Sequence, residues 1–128
     1  MERVAEILEA KPKELFTVTP DLSVEQAVQS MREHSIHSLL VVENGQLIGI
    51  ITDRDFQRKV ASQGLDSAAL RVDQIMTRSV VTVAPQGTIQ DCIRLMADNT
   101  IHHLPVCEGG ALVGMVSWSD LMELAIRD

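Results

Sequence analysis

Apolar residues recur along this chain with two periods, one typical of helices and one typical of strands. Within 24–31, apolar residues return every three or four positions, which is the stripe of an amphipathic helix. The runs at 39–43 and 46–52 are short and apolar, as strands are. Asn44-Gly45 separates them and favours a type I′ hairpin, because both central residues need a positive φ. The pattern predicts a helix followed by a β-hairpin.

The same pattern occurs twice along the chain. Residues 17–56 align with residues 82–121 at an offset of 65 without a gap, and thirteen of the forty pairs are identical. In addition, "VAEIL" at 4–8 is similar to "VDQIM" at 72–76, so each copy begins with a short helix. An internal repeat of this length indicates a duplicated structural unit. We place the boundary at Gly64, a natural helix terminator, which gives copies at 1–64 and 65–128.

Each copy is predicted to hold the same elements in the same order. After the lead helix comes a short strand, at 16–19 ("FTVT") or 80–83 ("VVTV"). A helix with Ser23 or Thr88 as its N-cap follows, then the hairpin, then a last helix. The order α-β-α-β-β-α predicts an α/β (α+β) fold. One copy is too small to bury its own sheet, so we expect the two to pack sheet against sheet about a pseudo-twofold axis.

The composition and the net charge argue against several classes of function. The net charge is −7 and aromatic residues make up 2% of the chain, which argues against binding to nucleic acid or to anionic membranes. No apolar run is long enough to span a bilayer, and the first residues lack a signal sequence, so we expect a cytoplasmic protein. Cys92 and Cys107 align with Ala27 and Val42, which predicts small core residues rather than a disulfide.

The segments "TDRD" at 52–55 and "SWSD" at 117–120 are the candidate functional motifs. In each, a hydroxyl residue ends a predicted strand and an aspartate follows three positions later. One interpretation is a helix cap, the pattern that Thr88 and Asp91 also satisfy. The other is a ligand site, in which the carboxylate accepts from two ribose hydroxyls while the hydroxyl and free helical N–H groups hold phosphate. Both interpretations stay open at this point.

The pair His102-His103 suggests either a metal site or a phosphate contact. Adjacent strand residues point to opposite faces, and no ligand spacing fits zinc, so we predict no metal. A plain surface histidine beside a half-buried one is the third interpretation. The first copy has Ser38 in place of His103. There the basic run Arg54, Arg58 and Lys59 either replaces it at phosphate or is only a solvated helix face.

The two copies resemble the CBS domain in its usual tandem pair, the Bateman module. The residues that carry the resemblance are "TVTPDLSVEQAVQSMREHSIHSLLVVENGQLIGIITDRDF" and "TVAPQGTIQDCIRLMADNTIHHLPVCEGGALVGMVSWSDL". The resemblance implies a regulatory module that binds AMP, ADP, ATP, NAD or S-adenosylmethionine in clefts between the repeats, with AMP, ATP or NAD favoured. It also implies a homodimer, to which the apolar helix positions Ile7, Leu8, Leu121 and Leu124 would be suited, and a separate effector protein as a further partner.

By this resemblance, Asp55 and Asp120 hold the ribose hydroxyls and Thr52 and Ser117 lie close to phosphate. Arg54 and Ser119 flank these pairs. The remaining expected contacts lie in the first strands, which line adenine, and at the entries of the hairpin strands, where His102 and His103 face phosphate. These contacts are Thr17, Val18, Ile36, His37, Ser38, Val81, Thr82, Ile101, His102, His103, Leu104 and Pro105. Trp118, which replaces Asp53 within the motif, either covers the second pocket or joins an interface.

Two other functions compete with a nucleotide sensor. A CBS pair could serve as a ligand-free dimerisation or interaction scaffold, in which the aspartates only cap helices. An enzyme is disfavoured, because the sequence contains no nucleophile elbow, Gly-rich phosphate loop or paired metal motif. Neither a catalytic residue nor a catalytic cofactor is therefore predicted.

Overall fold

The computed structural model describes residues 2–10 and 15–127, and its contacts divide the chain into two units. The N-repeat unit is Phe16–Val80, and the C-repeat unit combines Met1–Leu15 with Val81–Asp128. Each unit mixes helices with strands, which confirms the predicted α+β class. The predicted boundary between residues 64 and 65 separates the two sequence repeats, and it stays a prediction. The two units instead group residues that contact one another, so their limits differ from that boundary.

The N-repeat unit packs its helices on a small sheet. Its elements are β1 (Thr17–Val18), α2 (Val24–Glu33), β2 (Ser38–Glu43), β3 (Gln46–Thr52), α3 (Asp53–Lys59), a 3₁₀ turn (Ala61–Gln63) and α4 (Val72–Ile75). Strand β2 pairs in parallel with β1 and antiparallel with β3. Ser23 caps α2 with a full capping box, as predicted. The core is aliphatic, with Val24, Leu39, Val41 and Ile51 fully buried or nearly so.

The C-repeat unit holds a similar set of elements around its own core. They are α1 (Val4–Ala10), α5 (Ile89–Asn99), β4 (His103–Glu108), β5 (Ala111–Ser117) and α6 (Trp118–Arg127). Strands β4 and β5 pair antiparallel. The predicted strand at 80–83 is wrong, because only Val83 pairs there, through a parallel bridge to Val106. Its backbone makes two 3.0 Å hydrogen bonds, with Pro105 and Cys107, which hold one residue in place rather than a strand.

The lead helices pack on the copy that they do not precede in sequence. In the C-repeat unit, the Val4 N–H donates to Gly87 O at 2.8 Å, and in the N-repeat unit the Val72 N–H donates to Leu22 O at 2.8 Å. Gly87 and Leu22 occupy the same position in the two copies. Each lead helix therefore docks on the turn that precedes α2 or α5 of the other copy. Val4 and Val72 are fully buried, so both helices belong to the cores of their units.

Local backbone predictions are confirmed at both hairpins. Asn44 and Gly45 have φ of 54° and 79°, and Gly109 and Gly110 have 61° and 85°, so each turn has the two positive φ values of a type I′ turn. Both cysteines are free thiols. Cys92 is fully buried in the core, and burial raises the pKa of its thiol.

Two of the four predicted interface positions are wrong, because their side chains are buried. Ile7 and Leu121 are buried in the core of the C-repeat unit, and Leu8 and Leu124 are partly buried against it. The apolar periodicity of α1 and α6 is thus satisfied inside the unit. Ile7 and Leu121 are therefore not available as a dimer surface, whereas Leu8 and Leu124 stay half-exposed.

Candidate functional site

The predicted motif of the N-repeat unit forms the junction between β3 and α3. Thr52 ends the strand with extended φ and ψ (−122° and 164°) and caps the helix. The Asp55 N–H donates to Thr52 Oγ1 at 3.1 Å, while the Thr52 N–H and hydroxyl donate to Asp55 Oδ2 at 3.0 and 3.1 Å. The local sequence dictates this geometry, because a hydroxyl at the N-cap and an acid three residues on satisfy each other's backbone.

Two further groups reach the other oxygen of the same carboxylate. Thr77 Oγ1 donates to Asp55 Oδ1 at 3.3 Å, and Lys59 Nζ forms an ion pair with Oδ1 at 3.1 Å. The Lys59 ammonium also donates to the Ile75 carbonyl at 2.7 Å. Only 12% of the Asp55 side chain is exposed, against 44% for Lys59. The carboxylate is therefore surrounded by donors from three segments of one unit: the end of β3, α3 and the residues after α4.

The strand entry lies beside this junction. Ser38 pairs with Thr52 across β2 and β3, and the Asp53 N–H donates to His37 O at 3.1 Å. His37 Nδ1 and Asp53 Oδ2 are also 3.0 Å apart, with both side chains largely exposed. Ile36 and His37 line a cavity of about 350 Å³ between α2 and α3, together with Asp53 and apolar side chains of both helices. That volume is within the range of small-molecule pockets.

The other predicted residues of this unit lie around the same end of the sheet. Thr17 is exposed and Val18 half-buried, and they pair with Leu40 and Val41 of β2. Arg54, directly before Asp55, is exposed on α3. The described contacts therefore join Ser38, Thr52 and Asp55 directly. They place Thr17 and Val18 one strand further from the junction.

The C-repeat unit has the same junction between β5 and α6. The Ser117 N–H donates to Asp120 Oδ2 at 2.8 Å, and the Asp120 N–H donates to Ser117 Oγ at 3.2 Å. Ser117 Oγ and Ser119 Oγ are 2.9 Å apart and share a hydrogen bond. At the helix position where α3 has Lys59, α6 has Leu124, which packs against the core. The two junctions share their cap but differ in charge.

The histidines of the C-repeat unit border its junction. His103 pairs with Ser117, and the Trp118 N–H donates to His102 O at 2.8 Å. The His102 and Trp118 rings lie 6.4 Å apart, and both histidines are exposed.

The remaining predicted contacts of this unit vary in exposure. Thr82 is exposed, and Val81 and Ile101 are half-buried. Leu104 and Pro105 are buried, and Leu104 belongs to the core of the unit.

A second cavity, of about 90 Å³, includes Asp120. Its lining is rich in carboxylates, because Glu2 and Glu6 of the N-terminal segment and Glu123 of α6 share it with Asp120. In residues 2–10 and 15–127, no group of three or more His, Cys, Asp or Glu side chains is arranged to hold a metal ion. Within the same residues, every helix is too short or too polar to cross a membrane.

Sequence reasoning named Lys59 only as one of three basic residues and missed Thr77 entirely. The i, i+4 spacing of Asp55 and Lys59 was a usable signal for their ion pair. Thr77 carried no signal, because it follows α4 and lies 22 residues from Asp55 in sequence.

The two copies share an α+β fold, and each has one capped strand–helix junction. The chain is therefore a tandem module built from two related domains. The CBS domain family model matches residues 4–62 and 72–127, and the chain therefore belongs to the CBS-domain family. Its two copies make it a CBS pair, a regulatory module.

Individual proteins agree with this assignment. A CBS-domain protein from Burkholderia ambifaria has a similar structure, with 42% identity and a TM-score of 0.90 over 99% of this chain and 96% of that one. A mitochondrial CBS domain-containing protein of Arabidopsis thaliana is 38% identical over 86% of this chain. The chain spans 56% of that relative's length. A third protein is a CBS domain pair in complex with 5′-methylthioadenosine and S-adenosyl-L-methionine. It is 27% identical over 98% of this chain and 97% of that one, with a TM-score of 0.82.

Proposed function

We propose that this CBS pair is a regulatory sensor of adenosine-containing ligands, with one binding site at each strand–helix junction. Asp55 and Asp120 accept the ribose hydroxyls, and Thr52 and Ser117 lie next to the phosphate. The observation that carries the proposal is the repeated geometry. In each unit the aspartate carboxylate is held by the last N–H of the strand, at 3.0 and 2.8 Å, at the end of the sheet where the strand-entry residues also lie.

The ligand class is supported by chemistry and by similarity. A fixed carboxylate can accept from both hydroxyls of a ribose, and neighbouring hydroxyl and imidazole groups suit phosphate. A CBS pair with the same fold binds two adenosine derivatives. We favour AMP, ATP or NAD over S-adenosylmethionine at the N-repeat unit, because Lys59 and Arg54 add positive charge beside Asp55.

The ligand acts by changing conformation or assembly rather than by chemistry, and the chain works as a homodimer that reports to a separate effector protein. The exposed apolar side chains of α6, Trp118, Met122 and Ile126, follow one another at intervals of four residues and so share one helix face. The same positions of the first copy are Asp53, Gln57 and Ala61. This stripe replaces the earlier set, of which Ile7 and Leu121 are buried, as the proposed dimer surface. The cytoplasmic location stays a prediction of the sequence.

A ligand-free scaffold is the second candidate, and one observation favours it. The Asp55 carboxylate is fully supplied with donors by its own chain, so capping alone accounts for its geometry. A scaffold of this kind would keep its fold and assembly in the presence of every adenosine ligand, without added stability.

The test is a thermal unfolding series with adenosine, AMP, ATP, NAD and S-adenosylmethionine on the wild type and on Asp55→Asn and Asp120→Asn. Asparagine keeps an oxygen that can accept the cap hydrogen bond but removes the charge. A ligand at one hundred times its dissociation constant stabilises the folded state by about 2.7 kcal/mol. We expect each variant to lose the stabilisation that comes from its own site.

Asp91→Asn is the matched control. Asp91 accepts from the Thr88 N–H at 2.9 Å in a capping box of the same form, outside both predicted sites. Asp91→Asn should lower the melting temperature without ligand as the other two variants do. Each ligand should still stabilise it as much as it stabilises the wild type. A wild type that no ligand stabilises, or equal losses in all three variants, would leave the scaffold as the function.

A further inference from the structure

The Lys59 ammonium contacts the carboxylate that the proposed site offers to a ribose. Asp55 Oδ2 accepts from the N–H and the hydroxyl of Thr52, and Oδ1 accepts from Thr77 Oγ1 and Lys59 Nζ. A carboxylate has about four acceptor positions, and all are used here by the chain itself. A ribose that hydrogen-bonds to Asp55 must therefore displace one of these donors.

Lys59 and Thr77 lie outside the cap, and Lys59 is the donor whose displacement changes the local charge. The Thr52 contacts belong to the cap that begins α3, so their loss would unwind the junction. Lys59 instead contacts Oδ1 from the end of a flexible side chain that is 44% exposed. Its second contact is a 2.7 Å hydrogen bond to the Ile75 carbonyl.

Displacement of Lys59 has an electrostatic consequence that depends on the ligand. A neutral nucleoside takes the acceptor but leaves the ammonium without the anion that it neutralises. A phosphorylated nucleoside supplies a new anion close to the ribose, and a charge-assisted hydrogen bond to phosphate compensates for the lost pair.

From these contacts we infer that Lys59 is the specificity-determining residue of the N-repeat unit: it competes with uncharged nucleosides for Asp55 and makes this site selective for phosphorylated ones. The inference rests on the proposed function. The C-repeat unit has Leu124 at this helix position, so the same selection does not operate through α6.

The experiment measures the dissociation constants of adenosine and AMP by calorimetry, with Asp120→Asn as the parent so that binding reports the N-repeat unit. In the parent, AMP should bind more tightly than adenosine. Lys59→Met should tighten adenosine binding and weaken AMP binding, so that the ratio of the two constants changes about tenfold, the effect of one charge-assisted contact. Lys59→Arg keeps the charge and should keep the ratio within about twofold of the parent.

Two further variants distinguish the effect of the Lys59 charge from the effect of occupying an acceptor position on Asp55. Thr77→Val removes a neutral donor from Asp55 Oδ1, so it should tighten adenosine and AMP binding alike and leave their ratio unchanged. Arg94→Met removes an exposed cation that pairs with Asp91 at 3.2 Å on α5, outside the predicted sites, and should change neither constant.

The outcomes distinguish this inference from the function on which it rests. If Lys59→Met keeps the parental ratio while Asp55→Asn abolishes binding, the role of Lys59 is rejected and the sensor stands. If the wild type binds ligand but the Asp120→Asn parent does not, the N-repeat unit has no site and the inference is again rejected. If the wild type binds neither ligand, both proposals fall.

Discussion

Leu8 of α1 lies directly against Gly114 of β5: a Cβ at Gly114 would come within 2.7 Å of Leu8 Cδ2. The N-repeat unit repeats this relationship, because a Cβ at Gly49 would lie 2.5 Å from Met76 Sδ. Gly49 and Gly114 are equivalent in the two copies, and Leu8 and Met76 are equivalent in the lead segments. The identical glycines are therefore explained by the close approach of a lead segment to the strand.

This contact predicts energetic coupling between Leu8 and Gly114. Gly114→Ala places a methyl group where Leu8 lies, and overpacking of this kind typically costs about 1–3 kcal/mol of unfolding free energy. In the Leu8→Ala background the methyl group has room, so the second substitution should cost less. Urea unfolding of the four proteins should give an interaction energy of about 0.5–3 kcal/mol, the range for residues in contact.

The matched control for this cycle is Gly87→Ala in the same unit. A Cβ at Gly87 would meet Val83 at 2.7 Å, and Leu8 is not among its nearest neighbours. Its cost should add to that of Leu8→Ala. Additive costs for the Leu8 and Gly114 pair as well would contradict the packing of α1 on β5.

Acid stability should depend on the cap of α5. Hydrogen bonds from the Thr88 backbone, and then from its side chain, hold the pKa of Asp91 below its ordinary value. Because the folded pKa is the lower one, this carboxylate stabilises the protein at pH values above the unfolded pKa of about 3.9. The stabilisation is lost as the pH falls from there through the folded pKa. Asp91→Asn should flatten this part of a plot of unfolding free energy against pH.

Thr88→Val tests the cause of this pH dependence. It removes the side-chain hydrogen bond and keeps the carboxyl group, so the acid dependence should be intermediate between those of the wild type and Asp91→Asn. A slope in Thr88→Val equal to that of the wild type would assign the lowered pKa to the backbone hydrogen bond alone.

The exposed stripe of α6 predicts the effect of a charge on assembly. Met122→Glu places a carboxylate among apolar side chains, and burial of an unpaired charge in an interface is strongly unfavourable. We expect sedimentation equilibrium to give a dimer for the wild type and a monomer for Met122→Glu. Met122 is exposed in the unit itself, so the melting temperature of the variant monomer should change little.

Gln57→Glu is the control for the dimer prediction, because Gln57 occupies the equivalent position in the first copy and is polar already. It should remain a dimer. A Met122→Glu variant with the mass of the wild type at every concentration would remove α6 from the interface.

Features that depend on a few neighbouring residues could be predicted from the sequence. The type I′ turn at Asn44-Gly45, the caps at Ser23 and Thr88 and the helical stripe of α2 all appear as predicted. The strand at 80–83 did not form, since strand pairing needs a partner along several residues and only Val83 finds one. The spacing of apolar residues shows that a helix has an apolar face, but not whether that face packs inside the unit or against a partner. Ile7 and Leu121 were assigned to a dimer surface for that reason, although they are buried.

The sequence by itself determined the duplication, the order of the helices and hairpin strands, and the position of each hydroxyl–aspartate pair, because periodicity, turns and caps are local. Only the tertiary structure decided that each lead helix packs on the other copy, as Leu8 does on Gly114. It also decided that Lys59 and Thr77 meet at Asp55 Oδ1. Contacts between distant segments arise from the burial of apolar area in a whole unit, and no local pattern specifies them.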